Sequence, residues 1–221
     1  MELLSDWGEF IAAFVVFFVS HSIPTRPAVK SRIVALIGPV GFTLAYSALS
    51  TAILTWIIVA AGRAPYVEIW GWEPWQNHVP LTAMYFATLI FTMTLCRPNP
   101  LSFGGCNNDR FDPDNPGLIG WIRHPLLVTL LIWSLAHMVP NGDLAHVIVF
   151  GLFAAFSILG MRIIDKRARR ILGADEWQRL SNTKRSFKFT RSGIMRFALG
   201  TALYLALLYL HEPVIGISPL P

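Results

Sequence analysis

The chain has 221 residues, of which 54% are hydrophobic and 14% charged. No residue from Ile33 to Gly62 carries a charge, a pattern that excludes an ordinary soluble core. The formal net charge of +5 rests on ten Lys and Arg residues between Arg162 and Arg191, a segment suited to an anionic membrane leaflet and not to nucleic acid.

Hydrocarbon cannot satisfy stray backbone groups, so membrane-spanning segments are helices or closed barrels. Uncharged stretches long enough for one helical crossing, about 20 residues, recur along the chain. They predict an all-α polytopic bundle in one membrane domain over residues 1–221, with spans at roughly 7–24, 34–61, 78–96, 122–139, 144–161 and 195–211.

The first span contains the apolar run Phe10 to Val19. Glu2, Asp6 and Glu9 precede that run, so it lacks the basic flank of a signal peptide and reads as a helix of the mature protein. It ends at His21-Ser22, ahead of Pro24-Thr25-Arg26, and Phe14, Phe17 and Phe18 are placed to line an apolar cleft near His21. After the second span, Trp70, Trp72 and Trp75 suit the headgroup layer.

The third span opens at His78 and leads into residues 97–120, rich in Pro, Gly, Asn and Asp, the chemistry of turns. Cys96 and Cys106 show neither metal spacing nor an obvious disulfide arrangement. The loop delivers Arg123-His124-Pro125 to the fourth span. Proline is tolerated in a first helical turn, so Arg123 and His124 are expected at a helix N-terminus, where they suit a carboxylate, a phosphate or a haem propionate. His137 closes that span before the turn Pro140-Asn141-Gly142-Asp143.

His146 begins the fifth span. From Arg162 to Ser186 the sequence predicts a helical extension and then an amphipathic helix, with Ile163, Ile164, Ile171, Leu172, Trp177 and Leu180 as its apolar set. That helix lies on the membrane surface or acts as a lid. The sixth span ends at His211.

Cytoplasmic loops retain positive charge. Arg26, Lys30 and Arg32 follow span one, Arg97 and Arg110 follow span three, and ten basic residues follow span five, against Arg63 alone on the other side. This distribution predicts an inner-membrane protein with both termini periplasmic.

Ionisable groups inside a bilayer are costly and point to function. Here they are mainly histidines. His78, His146 and His211 lie at span ends, where imidazole meets the interface. His21, His124 and His137 are candidate metal ligands, because neutral imidazoles on facing helices are the usual way to hold a b-type haem.

The chain resembles the NnrU family, which is related to the plant and algal 15-cis-zeta-carotene isomerases. The resemblance lies in His21-Ser22 with Arg26, Arg123-His124-Pro125, Ser134-Leu135-Ala136-His137, Asn141-Gly142-Asp143-Leu144 and Phe150-Gly151, and runs over about residues 1–190. It implies a membrane-embedded haem b with His21 and His137 as axial ligands and His124 as a further essential histidine; Arg123 and Arg26 belong to the same cofactor-binding set. It also implies an association with nitric oxide and denitrification in bacterial members, and a haem-dependent shift of a double bond in an apolar small molecule in the isomerases. On depth alone, His21 pairs better with His124, since His124 and His137 are 13 residues, or about 20 Å of helix, apart. The second ligand is therefore either His137 or His124.

The same Arg123-His124-Pro125, with the tail Arg169 to Trp177, is also similar to the isoprenylcysteine carboxyl methyltransferases. That resemblance implies S-adenosylmethionine bound at the Arg-His-Pro segment, with Asp165 as an acidic partner. Leu126-Leu127 departs from the aromatic expected there. A third expectation is a non-catalytic partner that assembles a terminal reductase or supplies its haem.

Overall fold

The structure is a computed structural model and describes residues 7–185, 188 and 190–221, so Glu2, Asp6 and Ser186 lie outside it. Among the described residues the chain is all helical, with one isolated β-bridge between Glu68 and Asp143. It divides into two compact units, Met1–Trp70 with Asp143–Val149, and Gly71–Gly142 with Phe150–Pro221.

In the first unit, α1 (Gly8–Ser22) packs on α2 (Pro27–Arg63). The buried residues of α1, Phe10, Ala13, Phe14 and Phe17, follow the three-and-four spacing of a single helical face. His21 continues that face. Phe14 and Phe17 are buried as a cleft lining would be, whereas Phe18 is 46% exposed. The Thr25 hydroxyl donates to the carbonyls of His21 and Ser22, two of the unpaired acceptors that any helix end leaves. Pro27 then opens α2 from a first-turn position that costs no hydrogen bond.

α2 begins at Pro27 and not near 34, because Lys30 and Arg32 bound an apolar span without bounding a helix. It is also interrupted. Gly38 has φ 74° and ψ 167° ahead of Pro39, so two helical stretches meet at a kink. At the far end, Glu9 accepts hydrogen bonds from Trp56 and Arg63.

The second unit contains α3 (His78–Thr94), α4 (Pro125–Met138), α6 (Ala174–Ser181) and α7 (Arg191–Ile215). α5 (Leu144–Leu172) gives its first residues to the first unit and the remainder to the second. α3 packs against both α4 and α7. Gly200 is the buried residue of α7, and its apolar neighbours Leu199 and Leu205 are exposed, as on a helix bathed in lipid. Arg196 of α7 donates to the carbonyls of Thr92 and Leu95 at 2.8 Å each, capping the end of α3.

Among the described residues three helices, α2, α5 and α7, are long and apolar enough to cross a membrane. α1 and α4 are apolar but shorter. The expected amphipathic segment is α6, a separate helix beyond α5: Leu180 is buried, and Ile163 and Ile171 are 64% and 67% exposed on α5.

Candidate functional site

In the first unit, the α1 face that meets α2 carries His21. A carbonyl can only accept, so the 2.9 Å contact between His21 Nδ1 and the Phe17 carbonyl puts the proton on Nδ1. In the neutral ring, Nε2 then carries the lone pair. Ser50 of α2 reaches that atom with its hydroxyl at 3.2 Å. Phe17 lies against the imidazole at 4.2 Å between ring centroids, and Tyr46 meets it edge-on at 5.5 Å. Arg26 is exposed at the head of α2, and no side-chain hydrogen bond or ion pair of Arg26 is found among the described residues.

In the second unit, His137 repeats the pattern. Its Nδ1–H donates to the Trp133 carbonyl, one helical turn back, at 2.9 Å, which leaves Nε2 as the lone-pair nitrogen. Trp133 and Phe150 flank the ring at 5.6 and 5.8 Å, and Trp133 packs edge-on against Phe150 and Phe153. A carbonyl bond on the other ring nitrogen is what fixes tautomer and orientation in metal-ligating histidines. Among the described residues no cluster of three His, Cys, Asp or Glu side chains could hold a bare metal ion. A porphyrin brings four nitrogens of its own and asks the protein for axial imidazoles only, a part that His21 and His137 could each play singly.

His124 stands apart from this pattern. It is the N-cap of α4 and is buried, with 5% exposure. Its Nδ1 lies 3.0 Å from the Ser102 hydroxyl, and its Nε2 lies 3.2 Å from Asp165 Oδ1. That second contact has ion-pair distance without hydrogen-bond alignment. Burial pushes the His124 pKa below its ordinary value, partly offset by the Asp165 carboxylate. Arg123 Nη1 donates to Asp165 Oδ2 at 2.9 Å, so the anion held at the start of α4 is the chain's own carboxylate.

Trp177 of α6 completes the cluster. The Arg123 and Arg169 guanidiniums lie over its ring at 5.2 and 5.5 Å. From the polar loop, Asn99 donates to the Arg123 carbonyl at 2.9 Å. A cleft of about 280 Å³ opens beside Arg123, with Asn99, Trp121, Leu180 and Arg185 in its walls. Arg123 holds one oxygen of Asp165 and His124 lies beside the other at ion-pair distance, so the three groups form one charged cluster at the start of α4.

Ser50, Tyr46, Ser102 and Asn99 were not among the residues expected from sequence. The signal for the first two was Tyr46 and Ser50 one turn apart in the uncharged stretch of α2 between Ile33 and Gly62. For Ser102 and Asn99 there was no local signal, because their partners lie more than twenty residues away.

No curated protein and no solved structure matches the chain. The sequence model of the NnrU protein family matches residues 9–219, and with nearly its whole length covered the chain belongs to that family.

Proposed function

We propose that this NnrU-family chain is an integral membrane b-haem protein, with His137 and His21 as the imidazoles prepared for iron. The observation that carries the reading is the shared geometry: each ring spends Nδ1–H on the carbonyl one turn back, which leaves the lone pair on Nε2. The aromatic rings beside each suit an apolar planar group. Bound there, haem would supply an iron centre for nitric oxide and denitrification chemistry, or for shifting a double bond in an apolar substrate. His124 and Arg123 are gathered on Asp165 and have a different task, holding the polar end of α4.

In this reading α1, α3 and α4 cross the membrane alongside the three longer helices, and the basic segments face the cytoplasm. A pyridine haemochrome assay on detergent-purified wild type and on His21→Ala, His124→Ala and His137→Ala tests it. Wild type carries haem b, the first and third variants lose it or shift its bands, and His124→Ala retains it. Haem-free wild type, or unchanged spectra in both ligand variants, would overturn the reading.

The polar cleft beside Arg123 favours one second reading, a methyltransferase that binds S-adenosylmethionine there. Calorimetry with that ligand decides it: heat of binding lost in Arg185→Ala supports the reading, and no heat eliminates it.

A further inference from the structure

The chain contains two cysteines, Cys96 and Cys106, at the two ends of one loop. Two backbone hydrogen bonds draw these ends together, from Cys96 N to the Gly104 carbonyl at 3.0 Å and from Cys106 N to the Arg97 carbonyl at 3.3 Å. Cys96 has a positive φ of 54°, the bend that turns the chain back on itself. Both thiols are free, and the neighbouring Cys96 thiol raises the Cys106 pKa. Two backbone bonds between their immediate neighbourhoods thus bring residues ten apart in sequence side by side.

The loop between them matters to the site. It presents Asn99, which holds the Arg123 carbonyl, and Ser102, which contacts His124. It has little slack: a Cβ at Gly105 would lie 2.9 Å from the Asn99 nitrogen.

We infer that Cys96 and Cys106 form a redox-active dithiol that a low-molecular-weight disulfide oxidises to an intramolecular disulfide, fastening the loop that holds Arg123 and His124. Cys96, the exposed partner, attacks as thiolate on one sulfur of the oxidant and expels one small thiolate. Cys106 Sγ gives up its proton and attacks the resulting mixed disulfide at Cys96 Sγ, expelling the second. The dithiol loses two electrons and two protons, and the oxidant becomes two small thiols. In the orientation proposed above the pair faces the reducing compartment, so the dithiol is the resting form.

The test uses the full chain in detergent micelles, equilibrated with reduced or oxidised glutathione and then alkylated with maleimide. Two maleimides add in the reduced buffer and none in the oxidised one, where mass spectrometry finds a peptide joining residues 96 and 106. Dithiothreitol restores both sites. Cys96→Ser and Cys106→Ser each take up one glutathione and form no internal link. Hydrogen exchange slows over residues 97–106 and 123–124 on oxidation. Thiols that stay alkylatable in oxidised glutathione, or oxidation yielding only mixed disulfides or crosslinked dimers, would overturn the dithiol; exchange rates that do not change would overturn the fastening of the loop.

Discussion

One carboxylate, that of Asp165, is shared between two consecutive residues: Arg123 Nη1 holds Oδ2 at 2.9 Å, and His124 Nε2 approaches Oδ1 at 3.2 Å. The pair ties the first turn of α4 to α5, and the Trp177 ring beneath the guanidinium keeps part of the water away. Asp165→Asn preserves size but removes the charge, leaving a half-buried guanidinium without its anion. The expected loss is about 1 kcal/mol, because water screens a pair that is about a third exposed. Arg123→Ala costs a similar amount, and the double variant costs less than the sum of the two. Thermal unfolding of the four proteins in one detergent measures this; strict additivity would mean that the ion pair contributes nothing.

The pH dependence follows from His124. Its folded pKa lies below the ordinary 6.5, with burial the first cause and Arg123 adding to it. The unfolded chain therefore binds a proton at pH values where the folded chain does not, and stability rises with pH across that interval. This contribution is fully present above the unfolded value and is lost as pH falls through 6.5 toward the folded pKa. The melting temperature of wild type should fall on moving from neutral to mildly acidic buffer, and His124→Gln should reduce that fall. A variant retaining the full wild-type slope would assign the effect to another group.

Gly200 is fixed by contact. A Cβ there would lie 2.5 Å from Thr92 Oγ1, 2.9 Å from Leu89 Cδ2 and 3.2 Å from Leu89 Cα, so α7 and α3 approach closely through a position without a side chain. Gly200→Ala should destabilise by about 1–3 kcal/mol through overpacking. Gly62→Ala, on a helix with no atom within 4 Å of the new methyl, serves as control and should be neutral or mildly stabilising. Equal melting temperatures for the two variants would contradict this packing.

What could be read in advance was local. Pro125 marked the start of α4 because a proline ring fits a first helical turn whatever surrounds it, and Arg123 and His124 followed by position alone. The long apolar stretches located the helices but not their ends: α2 runs back past Arg32 and Lys30 to Pro27, since backbone hydrogen bonds tolerate charged side chains that hydrocarbon does not. The missed partners were all distant. Ser50 meets His21 across 29 residues and Ser102 meets His124 across 22, and neither a serine in an apolar helix nor one in a turn announces its contact. The two cysteines were legible as residues but not as a pair, because only the bonds at Gly104 and Arg97 bring them side by side.

Ser50 offers a sharp test at His21. Its hydroxyl lies 3.2 Å from Nε2, the same lone pair that iron would use, while Nδ1 stays engaged with the Phe17 carbonyl. A hydrogen bond to a neutral acceptor contributes only about 0.5–1.5 kcal/mol net, so in the haem reading Ser50 would be a weak competitor for the lone pair that His21 would offer to iron. Ser50→Ala should therefore leave the b-type haem content at or above the wild-type level, with little change in melting temperature for the haem-loaded protein. In protein freed of haem the same substitution should lower the melting temperature slightly, because the imidazole loses its only hydroxyl partner from α2. If His21 served merely to join α1 to α2 through Ser50, the substitution would lower stability equally with and without haem, and His21→Ala would leave the absorption bands where they were. Paired haemochrome and melting measurements on the two variants separate these outcomes.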